Sequence, residues 1–255
     1  MKVLVGGSTV LDFTTNNHRG NPSKASFLWW IENHLASVKV HAAGQLAVFR
    51  ALRAYLDREP MGSLSDSSDS VDTVVEFFGG SGIGTAIIQS LFHPVQHRAY
   101  DIDPECVAHL LSQRFSSRLE VVEADAKEAM LAEGPSDLAV LDFFSFSAYR
   151  ISDWRRQLDV VFGLEPRAVQ ITDTSLARLP LQRERYSEAL GVEVTDAPSY
   201  LQAFSDKFHR DYGYSAIAAA YREFACLMLV PSKVPNPVVL TKLDKQAGDE
   251  AVQTW

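Results

Sequence analysis

The residues with chemistry to offer cluster first in VVEFFGGSGIGTAII, residues 74–88. A β-branched run ends on Glu76, Phe77 and Phe78, and glycines then occupy positions 79, 80, 82 and 84 before the chain turns apolar again. Glycine costs roughly 0.5–1 kcal/mol per position relative to alanine, so such density implies a backbone that a ligand must approach closely. A phosphate cradle of the nucleoside triphosphatase kind needs lysine and then serine or threonine after the glycines; Gly84 is followed by Thr85 with no lysine near. A dinucleotide fingerprint needs GxGxxG, whereas Gly80, Gly82 and Gly84 give GxGxG, with Thr85 and Ala86 where a third glycine would stand.

The elements that must position this loop follow from the pattern around it. From Thr73 onward, short apolar runs alternate with helix-length segments: TVVEFF, GTAIIQSLF, QHRAYDID, PECVAHLLSQRF, LEVVEA, AKEAMLAE, DLAVLDFF, DWRRQLDVVFGL and AVQITD. Strand then helix, repeated, predicts an α/β fold with a doubly wound, mostly parallel sheet; SAIAAAY and FACLMLVP predict a late antiparallel strand pair. Ligands of such sheets bind outside the carboxyl ends of the strands, where the strand order reverses. Acids stand at or near the ends of five expected strands: Glu76, Asp101, Asp125, Asp142 and Asp173. Helix capping accounts for one or two of them, and five are more than capping requires.

ExFxGxG, made by Glu76, Phe78, Gly80 and Gly82, resembles the first motif of the Rossmann-like (class I) S-adenosylmethionine-dependent methyltransferases. AYDIDPECV, with Asp101 and Ile102, resembles their second motif, and VVEADA, with Asp125 and Ala126, stands where they recognise adenine. The resemblance implies a Rossmann-like fold with S-adenosylmethionine as cofactor. It implies that Asp101 holds the ribose hydroxyls, with Ile102 beside it, and that Asp125 and a neighbouring backbone amide at Ala126 hold the adenine. The ligand carries a sulfonium and an ammonium but no pyrophosphate, in keeping with Glu76 beside the loop. The resemblance covers residues 73–173 and extends loosely to the late strands.

For the methyl acceptor, Phe78 in place of a glycine resembles the DNA and RNA base methyltransferases. A carbon-5 cytosine enzyme needs a Pro-Cys nucleophile, and neither Cys106 nor Cys226 follows proline. Enzymes of exocyclic amines use an acid followed by two prolines and an aromatic; here Asp142 is followed by Phe143 and Phe144, so acid and aromatics are present and the prolines are missing. The expected catalytic residues are Asp142, Phe143 and Phe144, and the expected acceptor is a nucleic-acid base. Seven arginines against five acids between residues 148 and 186 make that region locally basic. NPSKASFLWW, with Lys24 and Trp29, stands where adenine-type amino-methyltransferases carry a lysine-containing motif over the cofactor, with a helix packing its tryptophans on the core as the other reading; His209, Tyr212 and Tyr214 suggest an acceptor-pocket wall. A small-molecule methyltransferase and a non-catalytic cofactor-binding scaffold stay open as alternatives.

The chain of 255 residues divides, by expectation, into an N-terminal extension over 1–58, a serine- and aspartate-rich linker over 59–72, a catalytic domain over 73–240 and a tail over 241–255. In the extension, KVLVGGSTVLDF predicts a hairpin and GQLAVFRALRAYLDR an amphipathic helix with Leu46, Phe49, Leu52 and Leu56 on its apolar side. The net charge of -8 offers no global basic field to nucleic acid. No apolar run approaches the ~18 residues of a membrane span and no signal peptide is present, so a soluble, cytoplasmic protein is expected. Seven scattered histidines and two cysteines lack metal-ligand spacing, so no metal is expected.

Overall fold

Every strand expected between Thr73 and Asp173 forms, because each apolar run is long enough for one pass of a buried parallel sheet and is closed by a turn or a helix cap. The computed structural model describes residues 2–5, 9–12, 35–58, 70–80, 82–113, 115, 118–142, 148–173, 175–244, 246–247 and 252–254. In chain order the elements are β1 (Lys2–Val5), β2 (Thr9–Asp12), α1 (Leu35–Leu56), β3 (Thr73–Phe77), α2 (Ile83–Phe92), β4 (Gln96–Asp101), α3 (Pro104–Ser112) and β5 (Leu119–Glu123). Next come α4 (Ala126–Ala132), β6 (Leu138–Leu141), a 3-10 segment (Ala148–Trp154) leading into α5 (Arg155–Gly163), β7 (Ala168–Asp173), α6 (Leu179–Leu190) and α7 (Ala197–Tyr212). β8 (Tyr214–Tyr221), β9 (Ala225–Pro231), β10 (Val239–Lys242) and β11 (Val252–Thr254) complete the described chain.

Eight strands make one sheet in the order β10-β8-β9-β7-β6-β3-β4-β5. β9 runs antiparallel to both β7 and β8, and the other neighbours are parallel, so the late antiparallel pair sits inside the sheet. This is the expected doubly wound, Rossmann-like α/β class. The chain winds from β3 outward through β4 and β5, then returns to place β6 on the other side of β3. The order therefore reverses between β3 and β6, and the ligand crevice of such a sheet opens at their carboxyl ends. The hairpin expected near the amino end is β1-β2, joined by β11 into a second, three-stranded sheet that sequence patterning did not suggest.

Two apolar layers hold the helices to the large sheet. One buries α1 and α2 with Val74, Val140, Cys226 and Met228; the other buries α4 to α7 with Val75, Ala139, Ile171 and Leu227. Leu46, Phe49, Leu52 and Leu56 are buried while Arg50, Arg53 and Asp57 are exposed, as the amphipathic pattern predicts. The helix is longer than its pattern suggested, running through Gly44, where a Cβ would meet Cys226 Sγ at 3.0 Å. That small residue lets α1 lie close on β9. The helix of the N-terminal extension thus shares a core with the sheet. Of the expected linker, residues 59–69 lie outside the described residues, as do Lys24 and Trp29.

Two helices, α6 and α7, escaped the sequence reading although α7 carries clear signals. Asp196 and Ser199 form a reciprocal capping box, Pro198 sits in the first turn and Gly213 closes the helix with φ 76°. α7 also relocates the suggested acceptor-pocket residues. Tyr212 stacks on Phe162 of α5 at 4.4 Å, Tyr214 donates its hydroxyl to Pro166 O at 2.7 Å, and His209 meets Ser215. Pro166 precedes β7, so these side chains pack at the amino end of the sheet, away from the crevice. The rings of Tyr212 and Tyr214 pack on Phe162 in the seam beside α5.

Burial pushes the Tyr214 phenol up to about 12, and burial together with Glu133 pushes Tyr100 up to about 12. An unfolded tyrosine ionises near pH 10 while these two keep their protons in the fold, so the unfolded chain binds fewer protons as pH rises. Stability is therefore expected to hold below pH ~10 and fall between about 10 and 12. Urea midpoints measured across that range check this, and Tyr214→Phe should flatten the decline.

Candidate active site

The pairing register brings the ends of β3, β4, β5, β6 and β7 to one level: Phe77 lies opposite Tyr100 and Leu141, Tyr100 opposite Val122, and Leu141 opposite Ile171. The residues that follow form the crevice wall. Phe78 turns the chain out of β3 with φ 68°, followed by positive φ at Gly80 (49°) and Gly82 (75°). A left-handed conformation costs a residue with a side chain roughly 1–2 kcal/mol, so a phenylalanine here is held against its own backbone preference. The half-buried Phe78 ring meets Trp154 edge-on at 6.0 Å, and Lys127 Nζ lies 4.5 Å over the Trp154 ring.

The glycines serve packing as well as openness. A Cβ at Gly82 would lie 2.8 Å from Leu110 Cδ2 and 3.1 Å from Phe115; one at Gly79 would lie 3.1 Å from Leu110 and 3.3 Å from Ala99. α3 therefore fits directly under the loop. Asp101 pins the loop from β4: its Oδ2 accepts from Gly80 N and its Oδ1 from Asp103 N, both at 2.8 Å. Burial pushes the Asp101 carboxyl up, against the pull of these amide donors. Ile102 beside it is 63% exposed. Asp125 caps α4, accepting from Lys127 N at 2.7 Å, and is itself exposed, while Ala126 is buried.

Glu76 sits elsewhere. It is 0% exposed, behind the loop, with its Oε2 accepting from the Thr85 hydroxyl at 2.5 Å and 3.3 Å from His97 Nε2. Its Oε1 has no hydrogen-bond partner among the described residues and lies 2.6 Å from where a Gly84 Cβ would be. The carboxylate expected to face the ligand is thus enclosed between β3, β4 and α2. Asp173, also 0% exposed, accepts from the Tyr200 hydroxyl and belongs to the core.

Asp142 closes β6 at the reversal point and is coordinated by residues the sequence reading did not connect with it. His41 Nε2 lies 2.8 Å from Oδ1, the Thr172 hydroxyl donates to the same oxygen, and Gln45 Nε2 donates to Oδ2 at 2.9 Å. Gln170 Nε2 in turn donates to Thr172 Oγ1 at 3.1 Å. His41 and Gln45 are one helical turn apart on the buried side of α1, and polar residues in the otherwise apolar stretch VHAAGQLAVF were the signal available. Phe143 and Phe144 lie outside the described residues.

Of the seven arginines in the locally basic stretch, Arg150 pairs with Asp153, Arg155 with Asp159 and Asp211, and Arg167 donates to Ser70 O. Among the described residues, no helix is long and apolar enough to cross a membrane.

No protein-family model matches the chain, and no curated protein matches it in sequence. Solved structures do resemble it. The magnesium protoporphyrin IX methyltransferase of Synechocystis PCC 6803 with bound S-adenosylmethionine is 14% identical, with 78% of this chain and 85% of that one covered at a TM-score of 0.44. A putative RNA methyltransferase of Pyrococcus horikoshii is 14% identical over 74% of this chain and 84% of that one, TM-score 0.45. A riboflavin-derivative dimethyltransferase of Streptomyces davawensis is 16% identical over 64% of this chain and 50% of that one, TM-score 0.42.

Proposed function

We propose that this protein is an S-adenosylmethionine-dependent methyltransferase acting on a small-molecule acceptor. The observation that carries the cofactor reading is the Asp101 clasp on Gly80, which fastens the glycine loop to the end of β4 at the reversal point. Each oxygen of that carboxylate takes one amide donor, leaving acceptor capacity for ribose hydroxyls. Exposed Ile102 offers an apolar face to adenine, Asp125 an acceptor for its amine and Ala126 a backbone donor. Gly80, Gly82 and Phe78 would border the methionine part, with Glu76 acting through the loop from behind. The cofactor, when bound, supplies an electrophilic methyl group on sulfonium sulfur; the chain's own residues hold it, align the acceptor and exclude water.

Two observations favour a small molecule over the nucleic-acid base expected from the motifs. The net charge of -8 offers no global basic field to a polyanion, and Arg150 and Arg155 are ion-paired with acids of the protein itself. Asp142 is followed by Phe143 and Phe144 in place of the two prolines that fix the turn used by enzymes of exocyclic amines. The test is incubation with methyl-labelled S-adenosylmethionine and, separately, duplex DNA, RNA and a small-molecule extract. Label is expected in the extract. Label confined to nucleic acid would overturn the acceptor reading, and no calorimetric binding of S-adenosylmethionine would overturn the whole.

A further inference from the structure

We infer that His41 and Gln45 are positioning residues that aim Asp142 at the methyl acceptor, so that the N-terminal helix α1 is part of the acceptor site; this rests on the methyltransferase reading. An ionised carboxylate offers about four lone-pair positions. On Oδ1, His41 and Thr172 fill both; on Oδ2, Gln45 fills one. Among the described residues no further donor reaches Oδ2, which leaves one acceptor position there. Asp142 thus takes a single hydrogen from its ligand, and the acceptor it orients is protic: a hydroxyl, thiol or N–H whose remaining lone pair is turned toward the methyl group.

The donors are set in a fixed sense. Gln170 donates to Thr172, so the Thr172 hydroxyl proton is committed to Asp142, and such chains strengthen each member. His41 and Gln45 arrive together because they stand four residues apart, and α1 reaches them to Asp142 because Gly44 admits Cys226 at its surface. Both are buried, His41 at 5% exposure with its ring edge-on to Phe224 at 5.4 Å, Gln45 at 0%. Burying this many polar groups is costly unless each is partnered, and leucine or valine would fill the same helical stripe.

Gln45 has a second neighbour. Its Nε2 lies 3.0 Å from the position of a Gly84 Cβ, which is also 2.6 Å from Glu76 Oε1, and its own Oε1 is buried with no hydrogen-bond partner among the described residues. One amide therefore touches both Asp142 and the helix that follows the glycine loop. It sets the spacing between the acceptor side and the cofactor side.

The test compares native protein with His41→Ala, His41→Gln and Gln45→Leu for thermal midpoint, S-adenosylmethionine affinity by calorimetry, and label transfer into the small-molecule extract. A mis-aimed acceptor group costs on the order of 100-fold in rate, so His41→Ala and Gln45→Leu should lose about that while cofactor affinity stays within about threefold. His41→Gln keeps an N–H donor and should recover to within about tenfold of native, a rescue that a purely structural role would not produce. Folded His41→Ala and Gln45→Leu proteins transferring label at the native rate would overturn the inference alone. If Gln45→Leu does not fold, the His41→Ala and His41→Gln pair decides by the presence or absence of rescue. Native protein that fails to bind S-adenosylmethionine would overturn the methyltransferase reading and this inference with it.

Discussion

Asp101→Ala is expected to weaken S-adenosylmethionine binding by about 1 to 3 kcal/mol, roughly five- to 150-fold, the usual cost of losing hydrogen bonds to a charged group. Two losses combine. The ribose hydroxyls would lose their acceptor, and Gly80 N and Asp103 N would lose the carboxylate that now accepts from both at 2.8 Å. The second loss matters because Phe78 holds φ 68°, a conformation that persists only while its surroundings enforce it. Released from Asp101, the loop would sample shapes in which it does not fit the ligand. Calorimetry on the folded variant is the check, and an unchanged affinity would remove Asp101 from the site.

Gly84→Ala is expected to destabilise the protein, although at an open helical position the same change would stabilise it by about 1 kcal/mol through helix propensity. The new Cβ would stand 2.6 Å from Glu76 Oε1 and 3.0 Å from Gln45 Nε2. Glu76 has little room to retreat, since Thr85 holds its other oxygen and His97 faces it. Gln45 can yield only by loosening its bond to Asp142. Overpacking of this kind costs about 1–3 kcal/mol, and the contact below 3.0 Å puts it at the upper end, above the propensity gain. The thermal midpoint should fall by several degrees, at about 2–4 °C per kcal/mol for a chain of this size. A midpoint equal to or above the native value would mean that Glu76 and Gln45 are not packed against this helix.

The glycine turn and the helix starts beside it were legible in the chain because their signals are local. Asp101 and Asp125 are each followed by residues that start a helix, and the glycines after Phe78 mark a backbone departure that few other residues tolerate. These depend on neighbours within a few positions, so spacing along the chain conveys them. The same locality misleads for Glu76: ending a strand at the right distance from the glycines does not tell which face of the sheet its side chain takes. In the fold that face is covered by α1 and α2, and the carboxylate is enclosed.

The sequence by itself determined the alternation of strands and helices, the position of the glycine turn and which strands end on an acid, since periodicity and turn chemistry are properties of short segments. Only the tertiary structure decided what surrounds Asp142. His41 and Gln45 lie 101 and 97 positions away from it, and Thr172 thirty positions beyond. They meet because α1 packs on β8, β9 and α2 by burying its apolar stripe, with Gly44 against Cys226 setting the approach. No local pattern records a contact that a whole helix–sheet interface creates.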